Sequence, residues 1–402
     1  MSDQEKIAMI REAIPASQNT VYFNSGSVGP ISTVTSRAIR ESDTLELMEG
    51  RASMAGFMAM LQTKTDLRQA FADLVKALPA EIALTHHTTD GMNIAAHGLA
   101  WQAGDEIVTT TLEHPGGLLP LYVLRQRQGV VVKVVDLPAD ISPQEVVARL
   151  EAAITPRTRL LAMSHVAWNT GMCMPMAEIV TMARRHHVLT LFDGAQAAGA
   201  IPLDLPASGV DFYTVSGQKW LGGPEGTGAL YVRGESLSLL SPTFVGYSSM
   251  DPIGRHDWTG YYLPQRDACR FEVGTVYRPA ITAMLANMGW LANEVGWPWI
   301  YARIAALHDY ARQALATLPG VTVISPPGPQ AGLVVFSLAG YDPARVTLKL
   351  AEEKIVLRFI GEPYALRIST GFYNTEADVD RLIEALQAIQ KLDPELLPEW
   401  NW

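Results

Sequence analysis

Lys219 and Asp193 are the residues of this chain whose type and setting ask for chemistry. Lys219 stands in SGQKWLGGPEGTG, between a hydroxyl residue and a run of glycines, just past the apolar run DFYTVS. Asp193 closes another apolar run, VLTLFDG. A turn lysine is ordinarily exposed, and an aspartate before Gly-Ala-Gln-Ala is ordinarily a helix cap. A carboxylate at the end of a buried run, however, needs a partner, because an unpaired buried charge is costly. Taken together, the two read as the ends of neighbouring strands.

That pair suits the gripping of a pyridine ring from opposite ends. A carboxylate keeps a ring nitrogen protonated, while a lysine whose pKa is lowered by partial desolvation condenses with an aldehyde. The cofactor with those needs is pyridoxal 5′-phosphate, which also requires a phosphate cradle and a surface for its ring. In HHTTDGMNIAA, Thr88 and Thr89 sit where a strand gives way to a helix. Hydroxyls and free N–H groups at a helix start bind anions, and a plain N-cap accounts for either threonine equally well. Ser216 offers another phosphate contact, and the glycines after Lys219 are expected to let backbone pack closely around the cofactor. His114, in TLEHPGGLL, offers a ring face, although a histidine there is more often structural. The pairs His86–His87 and His186–His187 lack a third ligand at metal-site spacing and are read as structural.

The elements that must position these groups follow from the hydrophobic pattern. From about residue 70 to 235, the runs EIALTH, DEIVTT, VVVKVVDL, RLLAMSHV, VLTLFDG, DFYTVS and GALYV alternate with periodic stretches such as SPQEVVARLEAAI. Short apolar strands alternating with helices mean an α/β fold with a mostly parallel sheet covered on both faces. Its ligand crevice lies at the carboxyl ends of the strands. After about residue 281 the pattern shifts to helices around VTVIS, LVVFSL and IVLRFI, a smaller α+β unit. The expected division is a large domain over 17–280 and a small one over 281–402 joined by 1–16. No GxGxxG opens a helix after a first strand and no GxxxxGK[ST] occurs, which argues against nucleotide-type glycine loops.

Composition narrows the classes further. The 402 residues are 48% hydrophobic and 18% charged, enough for a large core. A net charge of −10 without a basic run argues against nucleic acid as a partner. The most apolar stretch, ITAMLANMGWLANEVGWPWIY, is broken by Asn287, Asn293, Glu294 and Pro298, and reads as a buried helix and turn, not a membrane span. The first residues lack the apolar core of a signal peptide. Cys173 and Cys269 form no disulfide framework and no thiolate metal site. A cytoplasmic protein is expected.

Seven segments also stand in the order found in one known group: HHTTDGMN, EHPGG, SHVAWNTG, FDGAQAAG, SGQKWLGGPEGTGALYV, FEVGTV and LRISTGFYNTEADVDRL. From YFNSGSVGP to the last helix, the chain resembles a fold-type-I pyridoxal-phosphate enzyme of the class-V aminotransferase group. That group includes cysteine desulfurases, selenocysteine lyases, kynureninases and isopenicillin N epimerases. The resemblance implies that Lys219 is the Schiff-base lysine and moves the Cα proton. It implies Asp193 on the pyridine nitrogen, Gln196 on the ring hydroxyl, and His114 on the ring face. Thr89 and Ser216, with Thr88 beside them, would hold the phosphate. Thr275 would reach the phosphate from a partner subunit, making a homodimer with shared active sites. Asn169 would lie near cofactor and substrate, and Arg367 would clamp the substrate α-carboxylate with its planar fork.

Within the group, desulfurases carry a persulfide-forming cysteine before the carboxylate-binding arginine. Here that segment reads KIVLRFIGEPYALR and has none. The spacing of Arg358 and Arg367 is instead similar to that of L-cysteine/cystine C–S lyases, which remove a Cα proton and expel sulfur from Cβ. Arg358 would then meet a second carboxylate, or is simply a strand-edge arginine. Many relatives have histidine before the Schiff-base lysine; here Gln218 stands there, and an amide shuttles no protons. β-Elimination on cysteine- or cystine-like substrates is the expected activity. An aminotransferase, an amino-acid epimerase and a catalytically silent pyridoxal-phosphate protein are the alternatives, since sequence fixes the first step better than the fate of the carbanion.

Overall fold

Each of the seven apolar runs of the first half forms a strand, and six of them lie in a sheet largely buried by helices on its two faces, whereas the edge strand over VVKVV stays half-exposed. The computed structural model describes residues 2–251, 256–328 and 331–399. A short strand β1 (Val21–Tyr22) precedes β2 (Ile82–Thr85), β3 (Glu106–Thr110), β4 (Val131–Val135), β5 (Thr158–Ser164), β6 (Leu189–Asp193), β7 (Phe212–Ser216) and β8 (Gly228–Val232). The last seven make one sheet in the order β2-β8-β7-β6-β5-β3-β4, in which only β8 runs antiparallel to its neighbours. Every residue of β3, β7 and β8 is buried. β6 and β7 are adjacent, with Asp193 opposite Thr214, so the ends bearing Asp193 and leading to Lys219 are neighbours as expected.

The helix Thr88–Gly98 lies close on β7, and the reason is Gly91: a Cβ there would strike the Thr214 side chain. The helix Pro143–Ala153 is capped by Ser142, whose hydroxyl accepts from Glu145 N, and buries Val146 and Leu150. Such amphipathic helices draw their stability from the buried stripe more than from propensity.

The C-terminal part carries β9 (Val321–Val323), β10 (Leu333–Leu338), β11 (Ile355–Val356), β12 (Arg358–Ile360) and β13 (Ala365–Ser369). A second sheet runs β12-β13-β10-β9, all antiparallel, while β11 pairs with β1 in parallel. The run IVLRFI, expected as one strand, is therefore two: its first half pairs with the N-terminal segment and its second half with β13. β13 was not among the expected strands. Its sequence ALRIS has an arginine at the centre, and only its pairing on both sides with β10 and β12 makes it a strand.

The change of core falls downstream of the expected boundary at 280/281. Ile281, Met284, Ile300 and Ile304 pack in the large core, whereas Ala311 and Leu315 of the same helix, Trp297–Ala316, pack in the small one. Ile10 and Ile14 belong to the large core, not the small, and Val21 and Phe23 to the small. The stretch from 281 to 301 forms the helix Arg278–Trp290, a π turn over Leu291–Val295 and the start of the next helix after Gly296. Among the described residues no helix is long and apolar enough to cross a membrane.

Candidate active site

A cavity of about 440 Å³ opens where the carboxyl ends of β6 and β7 meet the small sheet. It is lined by Thr88, Thr89, His114, Asp193, Gln196, Ser216, Lys219, Arg358 and Arg367, so nine residues singled out from the sequence converge. Gly26, Ser27, His87, Trp168 and Gln218 complete the wall.

At one end, the helix Thr88–Gly98 points its start into the cavity. Its N-cap is His87, whose Nδ1 accepts from Asp90 N, so neither threonine is the cap. Thr88 N donates to Ser216 Oγ at 3.2 Å, and the two hydroxyls lie 3.3 Å apart. Hydroxyls gathered at a helix N-terminus favour an anion there.

In the middle, Asp193 Oδ1 accepts from Ala195 N at 2.8 Å, which aims the carboxylate from the strand end. Lys219 has its pKa pushed down to about 8: burial is the main cause, the attraction of Asp193 opposes it, and Arg367 and Arg358 add repulsion. Burial also lowers the His114 pKa, with Lys219 contributing. His114 caps the next helix by accepting from Gly116 N, and its ring stands edge-on to Trp168 with centroids 5.3 Å apart. Gln196 is engaged at both ends of its amide, donating to Gly26 O at 2.8 Å and accepting from Trp220 Nε1 at 2.9 Å, with one N–H left over.

At the far end, Arg367 is fully buried at the centre of β13. Its Nη1 donates to Trp168 O at 2.9 Å and its Nη2 to Ser27 Oγ at 3.1 Å, while Nε has no partner. Burial, and then Arg358, push its pKa down to about 9. Among the described residues neither Arg367 nor Arg358 makes an ion pair with an acid. A guanidinium with no counter-charge inside a protein calls for an anionic ligand.

Three expectations need adjustment. The glycines after Lys219 do not line the cavity; Gly222 and Gly223 face Pro30 O and Met284 Sδ, and a Cβ on Gly29 would collide with Lys219 O. They serve the close approach of protein segments that fix the Lys219 turn, not of a ligand. Asn169, next in the chain to Trp168, is not on the cavity wall; its Nδ2 donates to Glu362 O at 3.1 Å and its Oδ1 is buried without a partner. Thr275 lies on a different cavity, of about 650 Å³, with its hydroxyl 3.0 Å from Tyr247 Oη. The sequence reading missed Ser27 and Trp168, although both stand in segments it used, YFNSGSVGP and SHVAWNTG.

Neither cysteine lines the cavity. Burial pushes the Cys173 thiol up to about 11 and the Cys269 thiol up to about 12. Among the described residues no cluster of His, Cys, Asp and Glu suits a metal ion.

A sheet of this order, with a lysine turn after β7 and an aspartate ending β6, is the fold of the fold-type-I pyridoxal-phosphate enzymes. The chain belongs to the class-V aminotransferase family, whose model matches residues 22–382. It is similar to the isopenicillin N epimerase of Streptomyces clavuligerus, 33% identical over 80% of this chain and 83% of that one. A probable cysteine desulfurase of Mycolicibacterium paratuberculosis is 32% identical over 81% of this chain, which spans about half (48%) of that relative. The solved structure of the cystine C–S lyase C-DES with its reaction product cysteine persulfide superposes with a TM-score of 0.88 at 32% identity, covering 93% of this chain and 98% of that one. A variant of C-DES has been solved with glycine covalently linked to its PLP cofactor.

Proposed function

We propose that this chain binds pyridoxal phosphate and cleaves the C–S bond of cystine- or cysteine-like amino acids by β-elimination. The observation that carries the reading is the buried, acid-free guanidinium of Arg367 on the same cavity as Lys219 and Asp193. The residues fit the cofactor: hydroxyls and a helix start for its phosphate, a carboxylate for its ring nitrogen, a depressed lysine for its aldehyde.

When bound, pyridoxal phosphate supplies an aldehyde that takes up amines and a ring that accepts the electron pair of a broken Cα–H bond. Thr88, Thr89 and Ser216 would hold the phosphate, and Asp193 would hold a proton at the ring nitrogen. Gln196 has one N–H available for the ring hydroxyl, and His114, whose pKa burial lowers, would lie against the ring face. Arg367 receives the α-carboxylate in a bidentate fork, which orients the Cα–H bond toward Lys219. Lys219, depressed enough to be partly neutral near pH 8, takes the proton from Cα. Elimination would then require sulfur to leave from Cβ with the electrons of the C–S bond while the pair released at Cα forms the Cα=Cβ bond. Gln218 exchanges no proton, so the acid–base work at Cα rests on Lys219 alone. Arg358 is available to a second carboxylate, as a disulfide-linked substrate offers.

Two thiols with raised pKa values, neither on the cavity, disfavour a persulfide-carrying cysteine. Epimerisation is the second reading, favoured by the relative of that name; it differs in returning the Cα proton without loss from Cβ. The deciding experiment is pyruvate release by the protein with pyridoxal phosphate from L-cystine, L-cysteine and L-alanine, without any keto acid. Pyruvate from the sulfur amino acids supports elimination. No pyruvate, but a visible spectral change with alanine, moves the assignment to transamination or epimerisation.

The working unit is a homodimer in a cytoplasmic setting. Thr275 sits too far round for its own cavity, on a surface with exposed Phe244, Tyr247, Val273 and Tyr277 that a second copy would cover. Light scattering at micromolar concentration checks this: a monomer would remove Thr275 from the site.

A further inference from the structure

Ser27 has a hydroxyl whose hydrogen-bonding capacity is fully used. Arg358 Nη1 donates to its Oγ at 3.2 Å and Arg367 Nη2 at 3.1 Å, taking both lone pairs, while its proton goes to Asn24 Oδ1 at 2.7 Å. One oxygen therefore holds two like-charged groups side by side on the cavity wall. Arg367 has a further anchor in Trp168 O, at 2.9 Å. The other bond of Arg358 goes only to the carbonyl of its neighbour Phe359, at 3.2 Å. Ser27 is thus the tie that keeps the Arg358 fork beside Arg367 against their mutual repulsion.

The oxygen itself is held from both sides. Upstream, Phe23 N donates to Val356 O at 2.7 Å and Phe23 O accepts from Ser369 N at 2.8 Å, which stitches the segment to the small sheet. Downstream, Gly29 N donates to Gln218 O at 2.7 Å, which stitches it to the Lys219 turn. Residues 23–29 form a strap between the element that carries the arginines and the one that carries the lysine.

We propose that Ser27 is a positioning residue that sets the substrate range. By pairing the Arg358 and Arg367 guanidinium groups, it makes the site prefer a ligand with two carboxylates over one with a single carboxylate. The reason is charge balance: one carboxylate neutralises one guanidinium and leaves the second uncompensated in a partly desolvated wall, whereas two satisfy both. The inference rests on the reading of both arginines as carboxylate receivers.

The test is calorimetric titration of the full chain saturated with pyridoxal phosphate, using glutarate and pentanoate, which share a five-carbon backbone. The wild type is expected to bind glutarate about tenfold or more tightly than pentanoate, as one additional charge-assisted contact provides. Ser27→Ala and the near-isosteric Ser27→Cys, whose sulfur is a poor acceptor, lose most of that preference while pentanoate affinity stays within about twofold. Ser27→Thr, which keeps the hydroxyl, retains it. With L-cystine as substrate, Ser27→Ala raises KM and leaves kcat near the wild-type value, a split that general loosening of the fold would not give. If both the alanine and cysteine variants keep the glutarate preference, Ser27 does not set the pair and the proposal fails. A wild type without the preference also overturns it, at the level of the arginines. Pyruvate release from L-cysteine, which has one carboxylate, tests the lyase reading separately.

Discussion

The two ends of the large sheet treat charge in opposite ways. At the start of β3, Glu106 is buried, and everything around it is a partner: Lys133 Nζ at 2.7 Å, Thr155 Oγ1 at 2.6 Å, Thr158 Oγ1 at 3.0 Å and Arg157 Nη2 at 3.2 Å. Burial raises this carboxyl's pKa, yet the bonds from Lys133, Thr155 and Thr158 override it and bring the pKa down to about 2. At the opposite end, Lys219, Arg358 and Arg367 share a cavity wall with no acid in ion-pair contact among the described residues. Their pKa values move down rather than being held up. The first cluster is complete within the chain. The second has no comparable set of partners among the described residues, which is the setting that the proposed anionic ligand would complete.

Replacing members of each cluster sharpens the contrast. The largest effect is expected for Lys219→Ala, which should lower turnover by roughly a thousandfold or more. It should also abolish the visible band formed with pyridoxal phosphate, while the thermal midpoint stays put or rises. Retained activity in this variant would sink the assignment of the site. Arg367→Met is expected to raise KM by roughly a hundredfold, the worth of a charge-assisted fork. Its stability should be unchanged or improved, because an uncompensated buried cation is removed; steady-state kinetics and urea melts read the two together.

Glu106→Gln should do the reverse, costing about 3 kcal/mol of stability in denaturant melts and leaving kcat per folded molecule unchanged. That figure is the low end for a broken buried pair, since the Lys133 and Arg157 heads reach water. If its kcat falls instead, the two ends of the sheet are coupled and the contrast breaks.

The narrowest effect belongs to Glu113, one residue before His114. Its carboxyl accepts from Thr110 Oγ1, Ser164 N and Ser164 Oγ, the last two at 2.7 and 2.8 Å. Burial pushes it up to about 7, against those hydrogen bonds and with the charge of Asp193 adding to the rise. A raised carboxyl pKa means that the folded chain holds a proton the unfolded chain has released. Between about pH 4.5 and 7 this group's contribution to stability therefore falls as pH rises, by about 3 kcal/mol. Glu113→Gln should flatten that slope in melts at pH 5 and pH 7; an unchanged slope would assign it to other groups.

Much of this was legible before any coordinates. The strand runs of the large sheet are continuous and apolar because both faces are covered, and their alternation with helices gives the parallel arrangement. Asp193 and Lys219 each have an ordinary structural reading alone, and it was their placement together at the ends of neighbouring runs that pointed to a grip on a pyridine ring. Arg367 was reached only through the family motif. An arginine in the middle of ALRIS gives no strand signal, and nothing local says that it will be buried. Of the C-terminal runs, VTVIS and LVVFSL are strands as expected, whereas the break of IVLRFI into β11 and β12 and the strand β1 had no local signal: β1 and β11 are two residues each, and only their mutual pairing makes them strands.

What the sequence by itself determined is the part that depends on local pattern. This comprises the α/β class, the order of the large-sheet strands along the chain, and the lysine–aspartate pair at their ends. The tertiary structure alone decided which charges would be left without partners, because pairing depends on side chains far apart in the chain. Ser27 lies hundreds of residues from Arg358 and Arg367, yet one hydroxyl joins all three. Period and propensity act over a few residues, whereas the balance of buried charge is set by whichever segments the fold brings together.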